Sequence, residues 1–270
     1  MQEIVIEAGH AERNYWNDIW RYRELFWFLA WRDILVRYKQ TVLGIAWALL
    51  QPFLTMLVFT IVFGRVAKLP SHAAPYPVLV FAALLPWQFF SRALSESSMS
   101  LITNTNLISK VYFPRLIVPA GSIVVSLVDF LISFALLAAL MVWYSFWPGA
   151  RILALFALVP MAIAAAAGPG LLISALNVRY RDFRYIVPFI VQLGVYISPV
   201  GFSSDLVPAQ WRLVYSLNPL VGVIDAFRWA IIGSPIYMPS IWISIAMIIV
   251  LLIVGVWYFR RTERTFADII

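Results

Sequence analysis

The chain has 270 residues, 63% of them hydrophobic and only 12% charged, with a mean hydropathy of +0.86. A soluble domain would be nearer half apolar and a quarter charged, so the composition marks an integral membrane protein. The absence of cysteine excludes disulfides, thiolate nucleophiles and Cys-ligated metals. The net charge of +7 would suit a nucleic-acid partner, but its placement follows membrane orientation instead.

In chain order, residues 1–14 lack the basic start and apolar core of a cleavable signal, so the first span is expected to act as the targeting signal. Residues 15–40 read as a helix. At 100° per residue, Trp16, Trp20, Trp27 and Trp31 fall within an arc of about 60°. Arg21, Arg32 and Asp33 lie elsewhere on the wheel. The charges argue against a spanning helix, while the Trp stripe needs an apolar contact. An interfacial helix in the membrane plane meets both demands, and packing on a soluble partner is the alternative.

Six spans are expected from the roughly 20 apolar residues that a crossing requires. They run at about 42–64, 77–95, 116–143, 152–176, 185–201 and 241–259. Between the second and third lies a short basic, aromatic insert, Asn104 to Gly121. Placing the N-terminus inside puts 15 of the 20 Lys and Arg on the cytoplasmic side, with Arg92, Lys110 and Arg115 around the insert. That bias orients the chain with both termini and the insert in the cytoplasm. Residues 202–239 are too polar and Pro-broken to span, yet too apolar for a free loop. Asn218-Pro219 reads as a break between half-length helices at Leu206–Leu217 and Leu220–Ile232, an external re-entrant hairpin. The chain therefore divides into a tail and interfacial helix (1–40), a membrane domain (41–262) and a C-terminal tail (263–270).

Catalytic groupings are nearly lacking. His10 and His72 are far apart, and no H-E-x-x-H, G-x-S-x-G or paired carboxylates occur, so no catalytic or metal-binding residue is assigned. Asp129 is the one ionisable residue well inside an expected span, and no buried basic partner is evident for it. A structural role, hydrogen-bonded to Ser126, Ser133 or a neighbouring helix, is favoured over an ion relay. No G-x-x-x-x-G-K-[ST] is present, so an ATP-driven pore would need its nucleotide and Mg²⁺ on another chain, gripping the insert. Trp47, Phe53, Phe59 and Tyr196 within the spans are channel candidates where sugars could stack, with packing as the plainer reading.

Arg37-Tyr38-Lys39-Gln40-Thr41-Val42-Leu43-Gly44, with Trp47 and Gln51-Pro52 after it, resembles the approach to the first span in ABC-transporter permeases that export cell-surface polysaccharides. The stretch Asn106-Leu107-Ile108-Ser109-Lys110-Val111-Tyr112-Phe113-Pro114-Arg115 is similar to that family's cytoplasmic loop. Asn177-Val178-Arg179-Tyr180-Arg181-Asp182 and Asn218-Pro219-Leu220 match further family stretches, so the likeness covers about residues 30–262. It is similar to O-antigen, capsule and teichoic-acid export permeases of the bacterial inner membrane.

The resemblance implies a homodimer of six-span subunits with two copies of a separate ATPase. The coupling helix seated in that ATPase would lie around Asn106–Phe113, ended by Pro114, with Arg115 returning to the bilayer. Trp27, Trp31, Arg32, Arg37, Tyr38 and Lys39 would belong to a gate helix beside the entrance for a polysaccharide on an undecaprenyl diphosphate carrier. First and fifth spans would line the channel, and Asn218 and Pro219 would sit near its outer end. The basic cluster at the inner interface suits a diphosphate headgroup, or simply anionic membrane lipid. A permease of the same fold for a drug or lipid, or an ATPase-independent secondary transporter, are the alternatives.

Overall fold

The computed structural model describes residues 15–39, 42–70 and 74–266, with the side chains of 42–45 left aside. His10, His72, Gln40, Thr41 and most of both tails lie outside the described residues. Those described form helices, turns and loops, without strands. Five helical segments are long and apolar enough to cross a membrane, at Ala46–Val66, Tyr76–Thr103, Ile117–Trp143, Ala150–Arg179 and Met238–Thr265.

The expected helix over 15–40 is two helices, α1 (Tyr15–Arg21) and α2 (Arg23–Lys39). Its four Trp are 59–71% exposed, while Leu29 and Ala30 on the opposite side are buried. α3 (Val42–Phe59) contains Pro52 and passes directly into a π-helical stretch, Thr60–Val66. The Thr55 hydroxyl donates to the Gln51 carbonyl at 2.8 Å beside this proline.

α4 (Tyr76–Thr103) is the hub. Pro75 and Pro77 sit at its start, where a missing N–H costs nothing. Val78 to Leu85 are all buried, and α4 packs on α3, α6 (Ile117–Trp143), α7 (Leu155–Arg179), α8 (Phe183–Ile197) and α10 (Pro219–Ile232). A helix enclosed all round has no single apolar stripe. Its Ser-rich end, Ser91 to Ser100, stays helical because these hydroxyls return to carbonyls three or four residues back, as Ser95 does to Ser91 at 2.8 Å. This carries the helix eight residues past the expected end of the second span.

α5 (Thr105–Lys110) follows Asn104, and α6 begins after Pro114. The expected fifth span is α8, apolar but only 15 residues long. It stops at Ile197 because Ser198-Pro199 turns the chain: Ser198 is extended, and the residue before a proline disfavours the helix. The 202–239 segment resolves into α9 (Ala209–Tyr215), shorter than expected since Pro208 starts it, and α10. Asn218 caps α10 by accepting from the Leu220 N–H at 3.1 Å. Gly233, with φ +75°, ends it in the left-handed region that favours glycine.

α11 (Met238–Thr262) crosses α7 where the backbones nearly touch. A Cβ on Gly255 would stand 2.2 Å from the Gly168 carbonyl oxygen, so both positions must lack a side chain. Two hydrophobic clusters result. The larger surrounds α4 and includes Phe81, Phe89, Phe130 and Phe227. The smaller gathers Leu29, Leu101, Ile108, Phe113, Val178, Phe259 and Phe266 at the end of the bundle that holds α1 and α5.

Candidate functional site

The insert is built like a bracket. Ile108 and Phe113 point into the smaller cluster and are 2% and 4% exposed, and Pro114 is buried with them. Asn106, Ser109, Lys110, Val111 and Tyr112 face outward, with Leu107 and Arg115 between. Of the ten residues from Asn106 to Arg115, three therefore act as the foundation and five form the exposed surface. A six-residue helix is not stable alone. Here burial of its apolar side fixes it.

Glu263, just past α11, ties three chain segments together. Its carboxylate accepts the Tyr15 hydroxyl at 2.7 Å and the Arg115 backbone N–H at 2.6 Å. The Arg115 guanidinium also donates to the Glu263 carbonyl oxygen. Arg260 stacks over Tyr15 with its guanidinium carbon 4.4 Å from the ring centre. Burial, followed by the Glu263 charge, pushes the Tyr15 hydroxyl well above its usual range. The described start of the chain, the insert and the end of α11 thus meet on one face of the bundle.

A second polar cluster lies further along α6. Asp129, 4% exposed, pairs with Arg92 of α4 at 2.8 Å and Arg37 of α2 at 3.2 Å. Tyr38 of α2 donates its hydroxyl to the same carboxylate. Arg37 also reaches Glu96 of α4 at 3.0 Å, and Arg92 donates to Gln51 of α3 at 3.1 Å. Burial, followed by the Asp129 hydrogen bond, raises the Tyr38 hydroxyl above its usual range. The expectation that Asp129 lacks a basic partner is corrected by this arrangement. Arg92 is interior to α4 because the helix continues through the Ser-rich stretch. The hydroxyl of Ser126 goes instead to the Ser122 carbonyl at 3.1 Å.

Of the gate-helix candidates, Arg37 and Tyr38 enter this cluster. Arg32 pairs with Asp33 at 2.7 Å and donates to Asn104 at 2.8 Å, fastening α2 to the end of α4. Lys39 is exposed, as are Trp27 and Trp31. α2 runs in the same direction as α6: Ala30 lies against Gly121, and Tyr38 reaches Asp129 eight residues on.

The channel candidates separate. Trp47 of α3 and Tyr196 of α8 are exposed, whereas Phe53 and Phe59 pack against the larger cluster. α8 buries Val187 and presents Tyr185, Phe189 and Tyr196 outward. At the far end of the bundle, Asn218 donates to Ser198 at 3.1 Å, near a small cleft of about 10 Å³. Asp205, Arg212, Tyr215 and Asp225 line it. Beside it Arg228, 1% exposed, donates to the Phe202 and Val200 carbonyls at 2.6 and 2.9 Å.

Glu96, Glu263, Tyr15 and the Asp225–Arg228 pair escaped sequence reasoning. Two signals were available: Arg92 and Glu96 at i, i+4, and Asp225 and Arg228 at i, i+3, each share a helix face in apolar surroundings. Glu263 carried none, because its partners are 148 and 248 residues distant. Among the described residues no cluster of metal-ligating side chains occurs.

Comparison with known proteins agrees with this architecture. Residues 24–232 match the ABC-2 type transporter family. The chain is 26% identical to the O-antigen export system permease protein RfbA of Klebsiella pneumoniae, over 88% of this chain and 92% of the relative. It is 27% identical to RfbA of Myxococcus xanthus, over 78% and 82%. Identity to the polysialic acid transport protein KpsM of Escherichia coli is 25%, over 86% and 91%. With the match spanning most of the helical bundle, the chain belongs to the ABC-2 type transporter family, as a multi-pass membrane permease that leaves ATP hydrolysis to a separate subunit.

Proposed function

We infer that this permease exports a lipid-linked cell-surface polysaccharide, of the O-antigen or capsule kind, across the inner membrane of a bacterium. It acts as a homodimer with two ATPase subunits that bind ATP and Mg²⁺. The carrier lipid is undecaprenyl diphosphate. In this reading the 41–262 membrane domain crosses six times, with α8 as the short fifth crossing, and both termini lie in the cytoplasm. α5 is the coupling helix, α1–α2 gate the entrance, and α3 and α8 line the path with Trp47, Tyr185 and Tyr196. The α9–α10 hairpin stands at the outer mouth.

The observation that carries this reading is the insert itself: an exposed polar and aromatic rim, Asn106 to Tyr112, on a foundation of Ile108 and Phe113. Such a rim suits a soluble partner, because a lipid-facing segment would expose apolar atoms instead. The relatives' names support the polysaccharide class.

The test uses the permease co-expressed with its ATPase. Lys110→Ala with Tyr112→Ala is expected to reduce ATPase co-purification at least tenfold, while the permease keeps its elution profile. Phe113 is unsuited to this purpose, since its removal would undermine the insert. Unchanged co-purification overturns the docking role. For substrate, inside-out vesicles should take up undecaprenyl-diphosphate-linked glycan only with ATP. Uptake of a drug or free lipid alone, or ATP-independent uptake, would instead identify the other permease class or a secondary transporter.

A further inference from the structure

The Asp129 cluster does more than hold helices together. Its charges cancel: Arg37 and Arg92 against Asp129 and Glu96. In this state Arg37 is engaged by carboxylates, so it is not an open anion site. A buried ion pair contributes little net stability, because desolvation offsets the attraction, and its best-attested use is to specify one arrangement over another. The question is which arrangement this one specifies.

The division of partners between elements answers it. Asp129 and Arg92 both belong to the bundle, on α6 and α4, and meet at 2.8 Å. α2 supplies only Arg37 and Tyr38. If α2 moves away, Asp129 keeps Arg92 as a counter-ion and is not stranded. Arg37 is 31% uncovered by protein and stands two residues from exposed Lys39, and its long side chain can snorkel toward headgroups when α2 undocks. A permanent staple would make the buried carboxylate depend on the helix it holds. Here the dependence is removed.

We propose that the Asp129, Arg92, Arg37 and Glu96 cluster is a reversible latch for α2, in which Arg92 keeps Asp129 neutralised so that α2 can undock and return. Asp129 is the positioning residue, and Arg92 sets how readily the latch opens. The proposal rests on reading α2 as the gate. Opening breaks two Arg37 ion pairs and the Tyr38 hydrogen bond while leaving the α4–α6 pair intact.

Hydrogen–deuterium exchange of residues 23–39, in the full permease–ATPase complex in vesicles of phosphatidylethanolamine and phosphatidylglycerol, reads the latch. Arg37→Gln and Asp129→Asn should speed exchange there at least threefold. Arg92→Gln should slow it, because undocking would then strand a carboxylate in the membrane interior. Arg92→Lys should restore the wild-type rate. A simple staple predicts that Arg37→Gln loosens α2 while Arg92→Gln leaves it unchanged, so exchange in Arg92→Gln at or above wild type overturns the latch. If Arg92→Gln does not fold, Asp129→Asn decides alone, and unchanged exchange overturns it.

The gate reading is tested separately by Ala30→Cys with Gly121→Cys. The chain has no other cysteine, and a Cβ on Gly121 would lie 4.0 Å from the Ala30 nitrogen. A disulfide there should stop transport until reduced. Continued transport in the oxidised state refutes the gate and leaves the exchange result to judge the latch.

Discussion

Asp225 and Arg228 are one helical turn apart on α10 and almost fully buried, a pairing that needs its surroundings to be favourable. Arg228 spends two donors on the carbonyls of Val200 and Phe202, holding the turn after α8 against α10. Burial pushes the Asp225 carboxyl up to about 6, with the Ser204 hydrogen bond and Arg228 pulling the other way. The sign of the pH effect follows. The folded state retains a proton that an unfolded Asp, near 3.8, has already lost, so this contribution is full below about 3.8 and disappears as pH rises through about 6. Its ceiling is about 3 kcal/mol, from the size of the shift. The melting temperature of the purified permease should fall between pH 4.5 and 7 for this reason, and Asp225→Asn should flatten that slope. An equal slope in the variant would assign the dependence elsewhere.

At the scale of elements, the α7–α11 crossing brings backbone against backbone. Gly168 and Gly255 face each other there, and a Cβ on Gly168 would come within 2.6 Å of the Leu251 carbonyl carbon. No side-chain rotation relieves a clash with backbone, so α11 must shift. Gly255→Ala should cost about 1–3 kcal/mol, read as a lower melting temperature in detergent. A loss no larger than that for Ala at exposed Ile253 would refute the contact. The run Ala164 to Ala167 before Gly168 is a sequence feature that suits such a close crossing, though it does not name the partner helix. Helix existence was similarly legible, since long apolar runs and Pro or Asn-Pro punctuation place ends within a few residues. The central position of α4 was not, because enclosure by five helices leaves no periodic stripe to read. The foundation residues Ile108 and Phe113 could not be told from the rim, because both are apolar or aromatic like Val111 and Tyr112. The Asp129 and Glu263 clusters depend on pairs 37 to 248 residues apart, a separation that local pattern does not encode.

For the whole molecule, charge and geometry give independent arguments for orientation. Tyr15 and Glu263 bond directly, so the described N-terminal helix and the end of α11 share one end of the bundle. An even number of crossings connects them, which five long helices alone do not supply. In the proposed six-span arrangement α8 makes the difference: at about 1.5 Å per residue its 15 residues span roughly 22 Å, short of the 30 Å hydrocarbon core. The turn Ser198 to Gly201 completes that crossing while shielded by the bundle, as Tyr76 donates to the Gly201 carbonyl at 2.9 Å and Arg228 holds its neighbours. Irregular backbone at membrane depth is tolerated when protein covers it in this way. The proposed six crossings would place the Arg-rich turn at Arg179 to Arg184 and the Arg260–Arg264 end on the same side as the insert, in line with the positive-inside bias. Fusions test this directly. Green fluorescent protein after Ile270 should fluoresce, alkaline phosphatase after Gly149 and after Gly233 should be active, and phosphatase after Arg181 should be silent. Silent phosphatase at both Arg181 and Gly233 would mean that α8 does not cross.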